Sequence, residues 1–155
     1  MKRQDVSLLL LRLCGLGLAL LHGWGKVASL ASGQGERLIQ GTSSLGFPMP
    51  VVFSWAAALS EFAGGLCVAL GLGTRVAAGF AGFTMAVAAF GRHQAHRQLM
   101  VSLDLADISA ETLQKWGKPE MALLYLVAFL ALILLGPGRY SLDHILSKPV
   151  RRARD

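Results

Sequence analysis

The sequence predicts an all-α fold: an antiparallel four-helix transmembrane bundle with a short interfacial C-terminal helix. Three observations predict it. Hydrophobic residues make up 54% of the 155-residue chain and charged residues only 15%, where a soluble domain is about a quarter charged. The charges cluster at 26–37, 92–120 and beyond 139. Between those clusters lie long apolar runs, which need lipid around them.

A helix crosses a bilayer with about 20 apolar residues, and one membrane domain over 1–155 accommodates four such helices. Span one is placed at 6–24, interrupted by Arg12. Arg12, and the polar helical face that continues beyond Trp24, argue against a cleaved signal peptide. Span two is placed at 51–72, interrupted by Glu61, after the extended entry Gly46-Phe47-Pro48-Met49-Pro50. Span three, 74–90, follows so tight a turn that spans two and three form a hairpin. Span four, 117–135, has Pro119 in its first turn, where the missing N–H is harmless. Between spans three and four, the outer loop 91–116 carries Leu103, Leu105, Ile108 and Leu113 among acids. That pattern predicts a short amphipathic surface helix. Gly136-Pro137-Gly138 stops span four, and Ser141 is placed to cap the short helix after it.

Lys and Arg set the orientation. The side holding the N-terminus, Arg75 and the tail has eight of them, against six on the other. Both termini are therefore expected in the cytoplasm, with the chain in the inner membrane. The basic tail, 139–155, suits an anionic membrane surface. Trp24, Trp55 and Trp116 all fall at the outer interface. The charge of +6 does not imply nucleic acid, because no basic soluble domain accompanies it. Cys14 and Cys67 form no C-x-x-C pair and read as packing residues.

Ionisable groups inside spans are costly and mark candidate sites. Arg12 and Glu61 are the two here, as catalytic residues or as a static buried pair. Helical wheels give one face each to Arg12, Gly15, Ala19, His22, Gly23 and Lys26; to Ser54, Ala57, Ala58, Glu61, Gly64, Gly65 and Val68; and to Ala78, Gly79, Gly82, Ala86 and Ala89. Small residues allow close helix approach, with Gly64 and Gly65 as the packing motif of span two. His22, Lys26, His93 and His96 would ring the outer mouth and meet substrate. His93 and His96 have no third ligand at helical spacing, so no metal is expected. Arg139 and Asp143, four apart, are spaced to pair. No nucleophilic triad, phosphate loop or dinucleotide fingerprint is present.

These residues resemble the DoxX family of small four-helix membrane proteins. The likeness rests on Leu11-Arg12, Leu21-His22-Gly23-Trp24-Gly25-Lys26, Ser60-Glu61-Phe62-Ala63-Gly64-Gly65, Leu70-Gly71-Leu72-Gly73-Thr74-Arg75 and the run from Gly136 to Asp143. It covers roughly residues 6–146. It implies a four-helix membrane bundle with Arg12, His22, Lys26, Glu61 and Arg139 as polar landmarks, and His93 after span three. Some members are similar to the small membrane subunit of thiosulfate:quinone oxidoreductase, and others are associated with thiol-oxidation complexes. The resulting expectation is a quinone-linked redox component. Its cofactor would be quinone, and its partners the bilayer, a redox protein or a further copy of the chain. The rival expectation is a non-enzymatic scaffold, or a binder of lipid-like small molecules, serving a partner complex.

Overall fold

A computed structural model of the chain describes residues 3–147. The basic tail from Lys148 onward lies outside the described residues. Among the described residues every regular element is helical. Four long helices carry the structure: α1 (Arg3–Ala31), α3 (Pro50–Leu70), α4 (Thr74–Arg92) and α7 (Glu120–Leu135). Four short ones connect or follow them: α2 (Glu36–Ser44), α5 (Ala95–Ser102), α6 (Ala110–Trp116) and α8 (Leu142–Leu146).

Of the long helices, α1, α3 and α4 have 29, 21 and 19 residues and are apolar enough to cross a bilayer. The α7 helix qualifies only together with α6, from which it is bent by 44°. Gly117, in a left-handed conformation at φ 69°, and Pro119 make that bend.

The apolar count and the helix differ in three places. α1 continues beyond Trp24 to Ala31, because backbone hydrogen bonding does not stop where apolarity does. The first loop, which reads as Gly- and Ser-rich, contains α2. Thr42 of α2 hydrogen-bonds Ser54 of α3 at 2.9 Å. The outer loop forms two helices rather than one. Leu103, Leu105 and Ile108 lie between them, and only Leu113 is helical. Asp104 at φ 56° breaks the backbone after α5, and Ser109 caps the start of α6.

Packing follows the small residues. A Cβ on Gly15 would lie 2.6 Å from the Gly65 carbonyl oxygen, and one on Gly65 would lie 2.6 Å from the Gly15 carbonyl oxygen. A Cβ on Gly23 would meet the Phe62 nitrogen at 2.5 Å. The backbones of α1 and α3 therefore touch at two levels. Gly64 turns to α4, where a Cβ would find only the Ala77 carbonyl at 3.6 Å. On the same flank Ser60 and Thr84 hydrogen-bond at 2.6 Å. The buried face of α4 is Ala78, Ala81, Gly82, Met85 and Ala89. Gly79 lies beside that face, with nothing within 4 Å of its Cβ position, so it does not belong to the packed stripe as expected. Phe129 and Leu132 of α7 close the core. Leu10, Leu13, Phe80, Phe83, Leu124 and Leu134 are exposed outward, the arrangement of a protein surrounded by lipid.

This packing predicts unequal costs for one substitution. Gly15→Ala and Gly65→Ala force two backbones apart and should each cost about 1–3 kcal/mol. Gly64→Ala meets ordinary contact and should be neutral or stabilising by up to about 1 kcal/mol. Unfolding in detergent followed by circular dichroism ranks the three. Equal losses at Gly64 and Gly65 would contradict the packing described.

Candidate functional site

Glu61 sits in the interior of α3, 1% exposed. An isolated carboxylate there would be prohibitively costly. Its partner is Lys26, whose Nζ lies 2.5 Å from Oε1. Lys26 reaches it because Gly23, one turn earlier, lets α1 press against the Phe62 backbone. The second oxygen, Oε2, is buried with no hydrogen-bond partner among the described residues. The expected Arg12–Glu61 pair does not form. Lys26 lies 14 residues further along α1 than Arg12, about 21 Å at 1.5 Å per residue.

A cavity of about 130 Å³ opens beside the pair. Its polar wall is His22, Lys26, Glu61, His93, Lys118 and Tyr125. Its apolar wall includes Leu18, Met85, Met121 and Ala122. That size takes a small molecule, a headgroup or a few waters. The His22 and Tyr125 rings meet edge to face, 6.1 Å between centroids. The Nδ1 of His93 is 2.6 Å from the Trp116 carbonyl oxygen. A carbonyl only accepts, so Nδ1 carries the hydrogen and Nε2 is left for other contacts.

Three π-helical stretches converge at this level: Ala19–Gly23 in α1, Ser60–Gly64 in α3 and Val87–Arg92 in α4. His22 and Glu61 lie within them. The i→i+5 bonding inserts a residue into the helix and re-aims the side chains around it, a distortion concentrated at functional sites.

The DoxX family profile matches residues 7–94, which contain α1, α3 and α4 almost whole. This chain belongs to the DoxX family. A DoxX relative, the inner membrane protein YqjF of Escherichia coli (strain K12), is 33% identical over 148 residues, covering 95% of this chain and 97% of that one. No solved structure matches the chain. Family membership and the apolar helices together make this a multi-pass integral membrane protein in contact with lipid.

In this DoxX chain Arg12 belongs to the far end of the helices. It is 1% exposed and donates from Nη2 to the Tyr140 carbonyl oxygen, while its Nε and Nη1 have no partner. Gly71, at φ 73°, packs directly on the guanidinium, so any side chain there would collide with it. Asp143 completes the arrangement. Its carboxylate accepts from Gly73 N at 2.6 Å, Thr74 N at 2.9 Å and Thr74 Oγ1 at 2.8 Å, which caps the start of α4. Its own N–H donates to the Gly71 carbonyl oxygen at 2.8 Å. Asp143 thus pairs with the Gly71–Thr74 turn rather than with Arg139. The Arg139 N–H donates to Asp5 at 3.2 Å. Gly136 and Gly138, both at positive φ around Pro137, bring the chain back across the helix ends, and Ser141 caps α8 by accepting from His144 N at 3.1 Å.

Of the residues expected to meet substrate, the structure gathers His22, Lys26, Glu61 and His93. His96 is exposed on α5 and does not line the cavity. No group of three or more His, Cys, Asp or Glu side chains stands together among the described residues. Sequence reasoning missed Lys118 and Tyr125. Tyr125 carries the one polar side chain in the run Met121–Leu135, a signal that was available. Lys118 gave none, since its position depends on the bend before α7.

Burial pushes the Asp143 carboxyl up, but the hydrogen bonds from Thr74 and Gly73 and the Arg12 charge outweigh it and hold it below the usual carboxylate range. A lowered folded value contributes stability at pH above the unfolded value, about 3.9, and loses it as pH falls through the folded one. Melting in detergent should therefore be little affected by this group near neutrality and weaken below about pH 4. Asp143→Asn should lower stability near neutrality and remove this part of the acid sensitivity. An unchanged acid profile in that variant would refute the assignment.

Proposed function

We propose that this DoxX chain is a four-span inner-membrane protein with both termini cytoplasmic. Its Glu61–Lys26 cavity binds a quinone head and serves a quinone-linked oxidation of thiosulfate or thiols. The unpartnered Oε2 of Glu61, a residue that lines that cavity, carries the reading. A buried acceptor without a partner costs stability, and a hydroxyl of the reduced, quinol form of the ring would relieve it.

The residues fit such a ring chemically. Lys26 and His22 supply donors for carbonyl oxygens, Glu61 Oε2 supplies an acceptor for a hydroxyl, and Leu18, Met85 and Met121 supply apolar contact. A bound quinone would supply the capacity to take up two electrons and two protons. Glu61 and Lys26 would hold and exchange protons at the head. A small anion such as thiosulfate would approach His22 and Lys26 from the outer side. Electrons would come from that substrate directly or through a partner protein. Arg12 has its place in the clamp at the other end, where it positions the helices instead of touching substrate. The inner-membrane location is supported by the name of the Escherichia coli relative, and the four-span reading by the α6–α7 pair counted as one crossing.

The test is to purify the chain in native-like lipid and identify co-extracted small molecules by mass spectrometry. The parent should retain a quinone, and Glu61→Gln should lose it while still accumulating. Bulk lipid alone in both would sink the quinone reading and favour a scaffold. A topology reporter fused after Asp155 should be active only on the cytoplasmic side, and activity only outside would overturn the orientation.

A further inference from the structure

Lys118 is the lysine of the cavity lining that the quinone reading leaves unused. It comes from the Gly117–Pro119 bend, not from a long helix, yet it shares the cavity with Glu61. Three hydrogen bonds put it there. Gln98 of α5 donates from Nε2 to the His93 carbonyl oxygen at 2.7 Å and to the Gly117 carbonyl oxygen at 2.8 Å. His93 itself holds the Trp116 carbonyl oxygen. Together these fasten the two ends of the outer loop to each other across the cavity, and Lys118 follows directly.

The charges of the cavity do not cancel. Lys26 is committed to Glu61, and Lys118 makes no ion pair or hydrogen bond among the described residues. The inner wall therefore offers a buried acceptor, Glu61 Oε2, and the mouth offers an exposed cation. Between them the wall is apolar and aromatic, with Met121, Ala122 and Tyr125. A ligand that satisfies all three has a donor at its inner end, a ring or short apolar body, and an anion at its outer end.

We propose that Lys118 is a ligand-binding residue, and that the cavity takes a small hydroxylated ring bearing an anionic group. The hydroxyl donates to Glu61 Oε2 and the anion meets Lys118. This inference rests on the cavity being a ligand site, as proposed above, and assigns it a ring with an anionic group, which a quinone head lacks.

Three probes of matched ring separate the contributions: para-hydroxybenzoate, its neutral methyl ester, and para-methoxybenzoate, which keeps the anion but has no donor. Binding to the full chain in lipid nanodiscs is read by equilibrium dialysis. In the parent, para-hydroxybenzoate should bind tightest. Lys118→Ala should weaken it about ten- to hundred-fold, the range for loss of a charge-assisted hydrogen bond, and should leave the ester within about two-fold. Lys118→Arg should restore most of the loss, which a misfolded variant would not do. Equal weakening of acid and ester, or no change in either, overturns the role of Lys118. If the parent binds the ester but not the acid, the anionic class is wrong and the Glu61 site stands. If the parent binds none of the three probes, the small-ring reading of the cavity falls with it.

Discussion

The Glu61–Lys26 pair is the constraint on which the functional end of the molecule depends. A carboxylate buried to 1% exposure in an apolar helix needs a cation, and here α1 lies close enough to α3 for Lys26 to reach it. Gly23 against the Phe62 backbone provides that approach at the level of the pair, and Gly15 against Gly65 provides it two turns away. Neither contact tolerates a Cβ. The π-helical stretches in α1 and α3 coincide with the same crossing, so the acid, its cation and the distorted backbone belong to one local arrangement.

Stability alone does not account for this pair. Replacing a buried ion pair by apolar residues of similar volume is often neutral or stabilising. A pair kept with one carboxylate oxygen unpartnered is poorer still as a structural device. Glu61 also lines the adjoining cavity, with His22, His93 and Tyr125 on the same wall, so the pair stands where a ligand would have room.

The long helices were legible because apolar runs and charge gaps report lipid-facing surface directly. The buried face of α1 was legible too, since Arg12, Gly15, Ala19 and Gly23 recur at helical spacing, and all four are buried. What the sequence concealed was partnership along the helix axis. Arg12 and Glu61 are the charged residues within the spans, and charge balance alone suggests that they meet. A helical wheel preserves the face of a residue and discards its height, and their heights differ by most of a membrane leaflet. Lys26, assigned to the mouth because it lies past the apolar limit, is the true partner because a lysine stem spans more than a helical turn. The two outer-loop helices were concealed for another reason. Leu103, Leu105 and Ile108 read as one amphipathic face, but Asp104 adopts a left-handed backbone that ends α5 before that face can form.

The two buried charges therefore do different work at opposite ends. At the Arg12 end, the guanidinium, Gly71 and Asp143 tie the returning C-terminal segment to the α3–α4 turn. Asp143 is committed to the Gly71–Thr74 turn and Arg12 Nη2 to the Tyr140 carbonyl oxygen, while the guanidinium Nε and Nη1 find no partner among the described residues. At the Glu61 end, Glu61 Oε2 and the Lys118 amine have no partner among the described residues, and both residues line the cavity. The difference lies in the surroundings: Gly71 packs directly on the guanidinium, whereas Glu61 borders a cavity. The clamp thus holds the chain ends together and contributes no residue to the lining of the cavity.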